Sequence, residues 1–380
     1  MSSGALGKAT NRLLTWGCNV SGALGRGTIG LASNEPDYVF NLPDDPPVQV
    51  ATGWGHTAFV TKSGQVIVCG RAVDIRNTLT LGRVAEKRPR LAYFWTHYLG
   101  AKNSIDFPEP TLMSSDIKAT KISASACLTL GIDVHGNGFG FGMDRFGQTG
   151  TNITTERGAG VYELTKIALD SKLIDIAAGH QNGLAVTENG EVYGWGKADR
   201  GQIGCGDNSL RLSLVRKPMK IESLSHEFIT SVSSGFAHCI ALTNEGKVYH
   251  WGTIQSSKKE SFIAEPRLIE NLPPVVEAVC GQFQVVIRDV EGNVYQWGLR
   301  PDAMGSGFVE RPVKVRGVPV DAKNISCGMD FASILHNGIP YIWDWLDLTA
   351  KPLEALDGYK VKQVAFGWRH NAAIVEESNY

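Results

Sequence analysis

The chain has 380 residues, 43% of them apolar and 20% charged, and its 37 Lys and Arg nearly balance 38 Asp and Glu for a net charge of −1. That balance argues against a strongly basic nucleic-acid binder and against an acidic solvating tail. No run of 18 apolar residues is present to span a bilayer.

The N-terminal stretch carries Lys8, Arg12 and Arg26 before its first acid, Glu35, a bias that fits a mitochondrial presequence and not a secretory one, since no apolar segment follows the first basic residue. The expected location is the mitochondrion, with cytoplasm or nucleus as the alternatives. Structure is expected from Leu13, where Leu13-Leu14-Thr15-Trp16-Gly17 reads as a strand ending in an aromatic and glycine. The domain plan is a short extension, 1–12, ahead of a single unit, 13–380. Seven cysteines stand at wide spacings with no C-x-x-C pair, which favours a reducing compartment over a disulfide framework or a zinc site.

A repeat then governs the chain. Each copy opens with a small-residue strand ending at an anchor glycine, followed by a tight turn and a short apolar strand. A second turn has its glycine eleven residues after the anchor, and the copy closes with an aromatic-glycine strand. The copies run from Ala51 to Gly70, Ala177 to Gly196, Ser233 to Gly252 and Val279 to Gly298, each with 17 residues between anchor and final glycine. Ser125 to Gly142 keeps that spacing with Ser as anchor, and Gly328 to Asp344 is one residue shorter. Gly367 starts a seventh copy that ends with the chain, and its missing aromatic-glycine strand is the one at Leu13–Gly17.

The alternation in Lys247-Val248-Tyr249-His250-Trp251 has the period of a half-buried strand. Asn244-Glu245-Gly246 and Glu188-Asn189-Gly190 suit hairpin loops whose glycine takes positive φ. One hairpin cannot bury its apolar face, so the units must stack on one another, and the split copy predicts a ring closed by pairing the terminal strands. The expected fold is an all-β, seven-bladed β-propeller.

The segments "TWGCNVSGALGRG" (Thr15 to Gly27), "GFGMDRFGQTG" (Gly140 to Gly150) and "GWGKADRGQIGCGD" (Gly194 to Asp207) resemble the regulator of chromosome condensation repeat family over nearly the whole chain. "WGCNVSGALG", with the insertion before Glu109-Pro110, is similar to mitochondrial members of that family. The resemblance implies guanine-nucleotide exchange on a small or dynamin-like GTPase. The alternative it carries is a scaffold for ribosomal-RNA processing or ribosome assembly. Neither activity involves covalent catalysis, and neither implies a cofactor or metal.

Candidate contacts follow from repeat position. His56, His238 and His370 share the slot three residues after the anchor, where a structural tie to a neighbouring blade is the expected role. Trp54 and Trp368 share the slot directly after it, and Trp368-Arg369 joins an aromatic to a cation, a pairing common at binding anchors. Asp144-Arg145 and Asp199-Arg200 follow aromatic-glycine strands and are placed to meet a partner on one face of the ring. The insertion around 71–119 is the longest interruption. Its Arg71–Tyr98 stretch has six Lys or Arg against two acids, with Arg83, Lys87, Arg88, Arg90 and Trp95 as candidate RNA or partner contacts. Gly25-Arg26-Gly27-Thr28-Ile29-Gly30 fits a dinucleotide fingerprint in letters only, because it lacks a βαβ setting, and no P-loop motif occurs.

Overall fold

The repeat unit folds into a four-stranded antiparallel blade, and seven blades close a ring. This computed structural model describes residues 10–30, 32–74, 104–153, 160–206, 212–253, 262–299 and 308–377. The chain begins with β1 (Thr10–Gly17) and β2 (Ser33–Tyr38), the outer half of the last blade. Blade 1 is β3 (Pro47–Thr52), β4 (His56–Thr61), β5 (Val66–Asp74) and β6 (Ser104–Ser114). Blade 2 is β7 (Ala119–Ser125), β8 (Leu128–Asp133), β9 (Gly138–Met143) and β10 (Gly160–Lys166). Blade 3 is β11 (Leu173–Ala178), β12 (Asn182–Thr187), β13 (Val192–Lys197) and β14 (Leu214–Lys220).

Blade 4 is β15 (Ile229–Ser234), β16 (His238–Thr243), β17 (Val248–Thr253) and β18 (Phe262–Leu268). Blade 5 is β19 (Val275–Cys280), β20 (Gln284–Asp289), β21 (Val294–Leu299) and β22 (Phe308–Lys314). Blade 6 is β23 (Lys323–Cys327), β24 (Phe331–His336), β25 (Ile339–Asp344) and β26 (Lys351–Pro352). Blade 7 joins β27 (Lys360–Phe366) and β28 (His370–Glu377) to β1 and β2, with eight paired positions from Thr10↔Glu377 to Gly17↔His370. The predicted closure is present.

Packing explains both the count and the chemistry of each strand. Seven separate apolar clusters form, one in each joint between neighbouring blades. In blade 7, Leu13 packs with Phe59 and Ile67 toward blade 1, while Leu14 packs with Leu356 and Val361 toward blade 6, so the terminal strand serves two cores. Inner strands converge on the axis and therefore end in small residues such as Ala177-Ala178 and Ser233-Ser234. Six of the seven outermost strands contain proline (Pro36, Pro110, Pro218, Pro266, Pro312, Pro352, with Pro108 as a second in β6). A proline cannot donate to a further strand, so the rim resists edge-to-edge pairing. The short sixth copy is a two-residue hairpin, Asn337 (φ 51°) and Gly338 (φ 83°), between His336 and its partner Ile339.

A polar belt clamps the inner strands. Four residues before each anchor stand Gln49, Lys121, Asp175, Ser231, Glu277, Asn324 and Gln363. Gln363 Nε2 donates to the Val50 carbonyl while its Oε1 accepts from the Val50 amide, and Gln49 does the same with Ile122. Asp175 accepts from the Val232 amide and pairs with Lys121, and Glu277 accepts from the Asn324 amide. Each bond joins one blade to the next.

The insertion is shorter than the sequence suggested. Its flanks are the blade strands β5 and β6, which stay paired out to Asp74↔Ser104. Arg71 is not part of an exposed basic run: it is 4% exposed and its guanidinium forks onto both oxygens of Asp106 at 2.7 Å.

Candidate functional site

The first and third strands of a blade run the same way, so the turn after the first and the loop after the third emerge at one end of the ring. That end holds Trp54, Trp368-Arg369, Asp144-Arg145 and Asp199-Arg200. The shared face expected from sequence is therefore what the topology produces.

Directly after the seven anchors stand Trp54, Ala126, His180, Phe236, Gln282, Met329 and Trp368. The amides of Trp54, His180, Phe236, Gln282 and Trp368 each donate to a carbonyl of the next blade in the turn region, which fixes the side chains at the channel mouth. Trp368 lies against Trp54 with ring centroids 4.8 Å apart, the neighbour relation that ring closure predicted. Trp54 stacks on His180 at 4.2 Å, His180 on Phe236 at 4.5 Å, and Phe236 leans on Phe283 at 5.4 Å. Trp54 reaches past blade 2 to blade 3 because the intervening slot holds only the methyl of Ala126. The result is a continuous row of five rings across the mouth. The polar-lined hollow beneath it has about 130 Å³ of open volume, and the one at the opposite end about 560 Å³.

Cations flank the row. The Arg369 guanidinium lies 4.8 Å from the Trp368 ring centre, and that of Arg200 lies 5.9 Å from Phe236. Outside the row, Lys197 and Arg145 approach the ring of Phe146, in the loop after β9, at 5.2 and 5.5 Å. Such contacts place positive charge on the negative faces of the rings. Burial, with Lys197 and Arg200 adding to it, holds the His180 pKa down at about 3, so the row itself stays neutral at physiological pH.

The candidates divide into two groups. Arg145, Arg200, Trp54 and Arg369 are wholly or partly exposed at the mouth, and Trp368 is buried behind Trp54. Asp199 is exposed but pairs with Lys197 at 2.9 Å. Asp144 differs: it is 1% exposed, and its Oδ1 accepts from the amide and hydroxyl of Thr149 while Oδ2 faces Arg216. Its adjacency to Arg145 suggested a paired contact, but its carboxylate folds back to brace its own loop. Arg83, Lys87, Arg88, Arg90 and Trp95 lie outside the described residues.

The same loops explain the sequence signature. Gln148 and Gln202 each accept an amide two residues back through Oε1, and their carbonyls receive the indole N–H of Trp195 and Trp251 from the following blade. Gly150 (φ +70°) is required because a Cβ there would stand 2.7 Å from Trp195 Nε1.

The histidine slot is structural. His370 Nε2 donates to the His56 carbonyl, His238 Nε2 donates to the Gln284 carbonyl, and His56 Nε2 meets the Thr129 hydroxyl, all in the next blade. Burial lowers their pKa values to about 4, 4 and 3 respectively. Among the described residues no group of three His, Cys, Asp or Glu is placed to hold a metal ion, and no helix is long and apolar enough to cross a membrane.

Comparison with known proteins adds a family and a fold. A family model described as the RCC1-like domain matches residues 1–334. The E3 ubiquitin-protein ligase HERC2 of Mus musculus is 28% identical over 255 residues, 64% of this chain and 5% of the relative. The secretion-regulating guanine nucleotide exchange factor of Bos taurus is 29% identical over 276 residues, 71% of this chain and 53% of that protein. The chain thus spans about half, or far less, of these curated relatives. The crystal structure of human WBSCR16 superposes with a TM-score of 0.77 at 18% identity, covering 97% of this chain and 99% of that one, which supports the propeller fold.

Proposed function

This chain belongs to the RCC1-like domain family, and we propose that it is a regulatory propeller that promotes guanine-nucleotide exchange on a GTPase, meeting it at the aromatic and cationic mouth. The bovine relative named as an exchange factor supports the activity, and the row of five aromatic rings supports the location of contact. Exchange needs no bond-making chemistry. The factor has only to bind the nucleotide-free GTPase better than the loaded one, and a rigid surface suffices for that. The mouth is rigid because five of the seven turns are bonded to the next blade. Trp and Arg there are the residue types that dominate contact energetics.

The proposal extends to a mitochondrial partner, of the small or dynamin-like class. The test is release of a fluorescent guanine nucleotide from a panel of purified small and dynamin-like GTPases. One of them should be accelerated at least about tenfold, and Trp54→Ala should remove most of that gain while the chain stays folded, as an unchanged circular-dichroism spectrum would show. No acceleration across the panel would refute the reading. Scaffolding of ribosomal RNA is the competing reading, and salt-dependent binding of a labelled single-stranded RNA with no exchange on any GTPase would favour it.

A further inference from the structure

Six of the seven joints are tied across their inner strands by a side chain that accepts an amide of the next blade. Four of these ties come from Gln363, Gln49, Asp175 and Glu277. In the other two, Ser123 accepts from the Ala178 amide at 3.0 Å and Ser233 from the Cys280 amide at 2.8 Å. The joint between blades 6 and 7 has no such tie among the described residues, which include both of its inner strands and all of blade 6. Ser326 stands two residues before its anchor, as Ser123 and Ser233 do, but bonds to nothing across the joint. Val364 keeps the register of Val50 (Val364↔Ala373 against Val50↔Phe59), yet no side chain meets its amide and carbonyl as Gln363 meets those of Val50. The histidine slot of blade 6 holds Phe331, which is 42% exposed and ties nothing.

A polar group is buried beside this gap. Ser333 occupies a slot that is Ala, Leu, Ile or Val in the other six blades. It is 2% exposed, and its hydroxyl bonds to no described group. The larger hollow, at the end of the ring away from the aromatic row, opens into the gap with Ser326, Ser333 and Val364 in its wall.

We propose that this hollow binds a small neutral carboxamide, which donates to the Val364 carbonyl, accepts from the Val364 amide and so supplies the tie that blade 6 lacks. The molecule contains the template, since Gln363 makes the same two bonds to Val50 at 3.0 and 2.9 Å. A buried hydroxyl in an otherwise apolar slot calls for a polar partner, and the Ser333 and Ser326 hydroxyls serve the remaining polar atoms of such a ligand. Its neutrality follows from the wall. Lys362 is held by Glu376 at 2.7 Å and Glu277 by Arg288 at 2.6 Å, so the charges there are already answered. An open volume of about 560 Å³ is in the range of small-molecule sites. The inference does not depend on the exchange-regulator reading, because the hollow lies at the other end of the ring.

The probe is succinamide, with succinate as its charged counterpart, added to the full chain and followed by ligand-detected NMR and by amide hydrogen exchange. Succinamide should bind and slow exchange in the 360–366 segment, β27. Succinate should bind at least about tenfold more weakly, because the site offers a carboxylate no unpaired cation. Ser333→Ala should weaken succinamide about fivefold, the size of one neutral hydrogen bond. Ser333→Leu installs the residue that Leu130 and Leu184 supply at this slot, and it should abolish binding while the circular-dichroism spectrum stays unchanged. If Ser333→Leu fails to fold, Ser333→Ala decides, and binding at the parent strength would overturn the inference. Succinamide that does not bind, equal binding of succinate, or binding that survives Ser333→Leu would overturn it as well, leaving the hollow to solvent.

Discussion

Lowering the pH from 7 to 5 should destabilise the ring through histidines that never meet solvent, and His370→Gln isolates the effect. In the folded chain burial holds His370 neutral with a pKa of about 4, while in the unfolded chain it returns to about 6.5. The folded value is the lower one, so its contribution is intact above pH 6.5 and is lost as pH falls from there toward 4. At pH 5 the unfolded side chain is almost fully protonated and the folded one is not, a difference of about 2 kcal/mol per histidine. His56, His180 and His238 are held down in the same way, so the four together approach about 8 kcal/mol, comparable with the whole stability of many domains. The molecule supplies its own control, because blade 5 has Gln284 in this slot, and its Nε2 reaches the Gly328 carbonyl of the next blade. His370→Gln can therefore keep the tie to blade 1 while removing the titration. Urea unfolding followed by tryptophan fluorescence at the two pH values should show the variant losing about 2 kcal/mol less than the parent. The surface carboxylates titrate equally in both proteins and cancel. Equal losses would mean that His370 is not held neutral by burial, and the assigned role of the slot would be wrong.

Gly150→Ala and Gly358→Ala both place a methyl at positive φ, but only the first drives it into a neighbour, the Trp195 indole, while the second meets open space. Chemical denaturation should show about 1 kcal/mol of strain for Gly358→Ala and a further 1–3 kcal/mol of overpacking, roughly, for Gly150→Ala; equal costs would refute the packing role of the signature glycine. Leu14→Ala truncates a fully buried side chain in the terminal strand and should cost about 2–5 kcal/mol in the same assay, whereas a cost below about 1 kcal/mol would mean that the closing strand contributes no core.

The ring was legible because its markers are steric. A glycine whose Cβ would strike a backbone carbonyl or an indole cannot drift, so Gly53, Gly150 and Gly204 keep the repeat visible through weak copies. The split blade was legible for the same reason, since Leu13–Gly17 completes a pattern that Gly367 begins. The polar belt was hidden because the slot residues that bond across it, Gln49, Lys121, Asp175, Glu277 and Gln363, are unlike letters with one task. Position relative to the anchor, and not residue type, was the available signal. Asp144 was misjudged for a different reason: a loop carboxylate beside an arginine looks exposed on the page, and only the fold shows it turned back onto Thr149. The insertion's limits shifted because β5 and β6 continue past the repeat, so residues assigned to a loop, Arg71 among them, serve the blade.

What makes the mouth specific is departure from the repeat. A ring of seven identical copies would offer seven equivalent sites and no preferred orientation for a partner. One break removes that symmetry. Ala126, with φ of +46°, vacates one position after the anchors and lets Trp54 reach across to His180, joining blades 1 and 3 by a contact no neighbouring pair could make. The aromatic row starts from that break, so a partner must lie along the rings in one direction. Filling that slot, by Ala126→Phe at a buried position of positive φ, should separate Trp54 from His180, lower the melting temperature and remove the exchange gain that Trp54 supplies; exchange at the parent rate would mean that the row does not meet the partner.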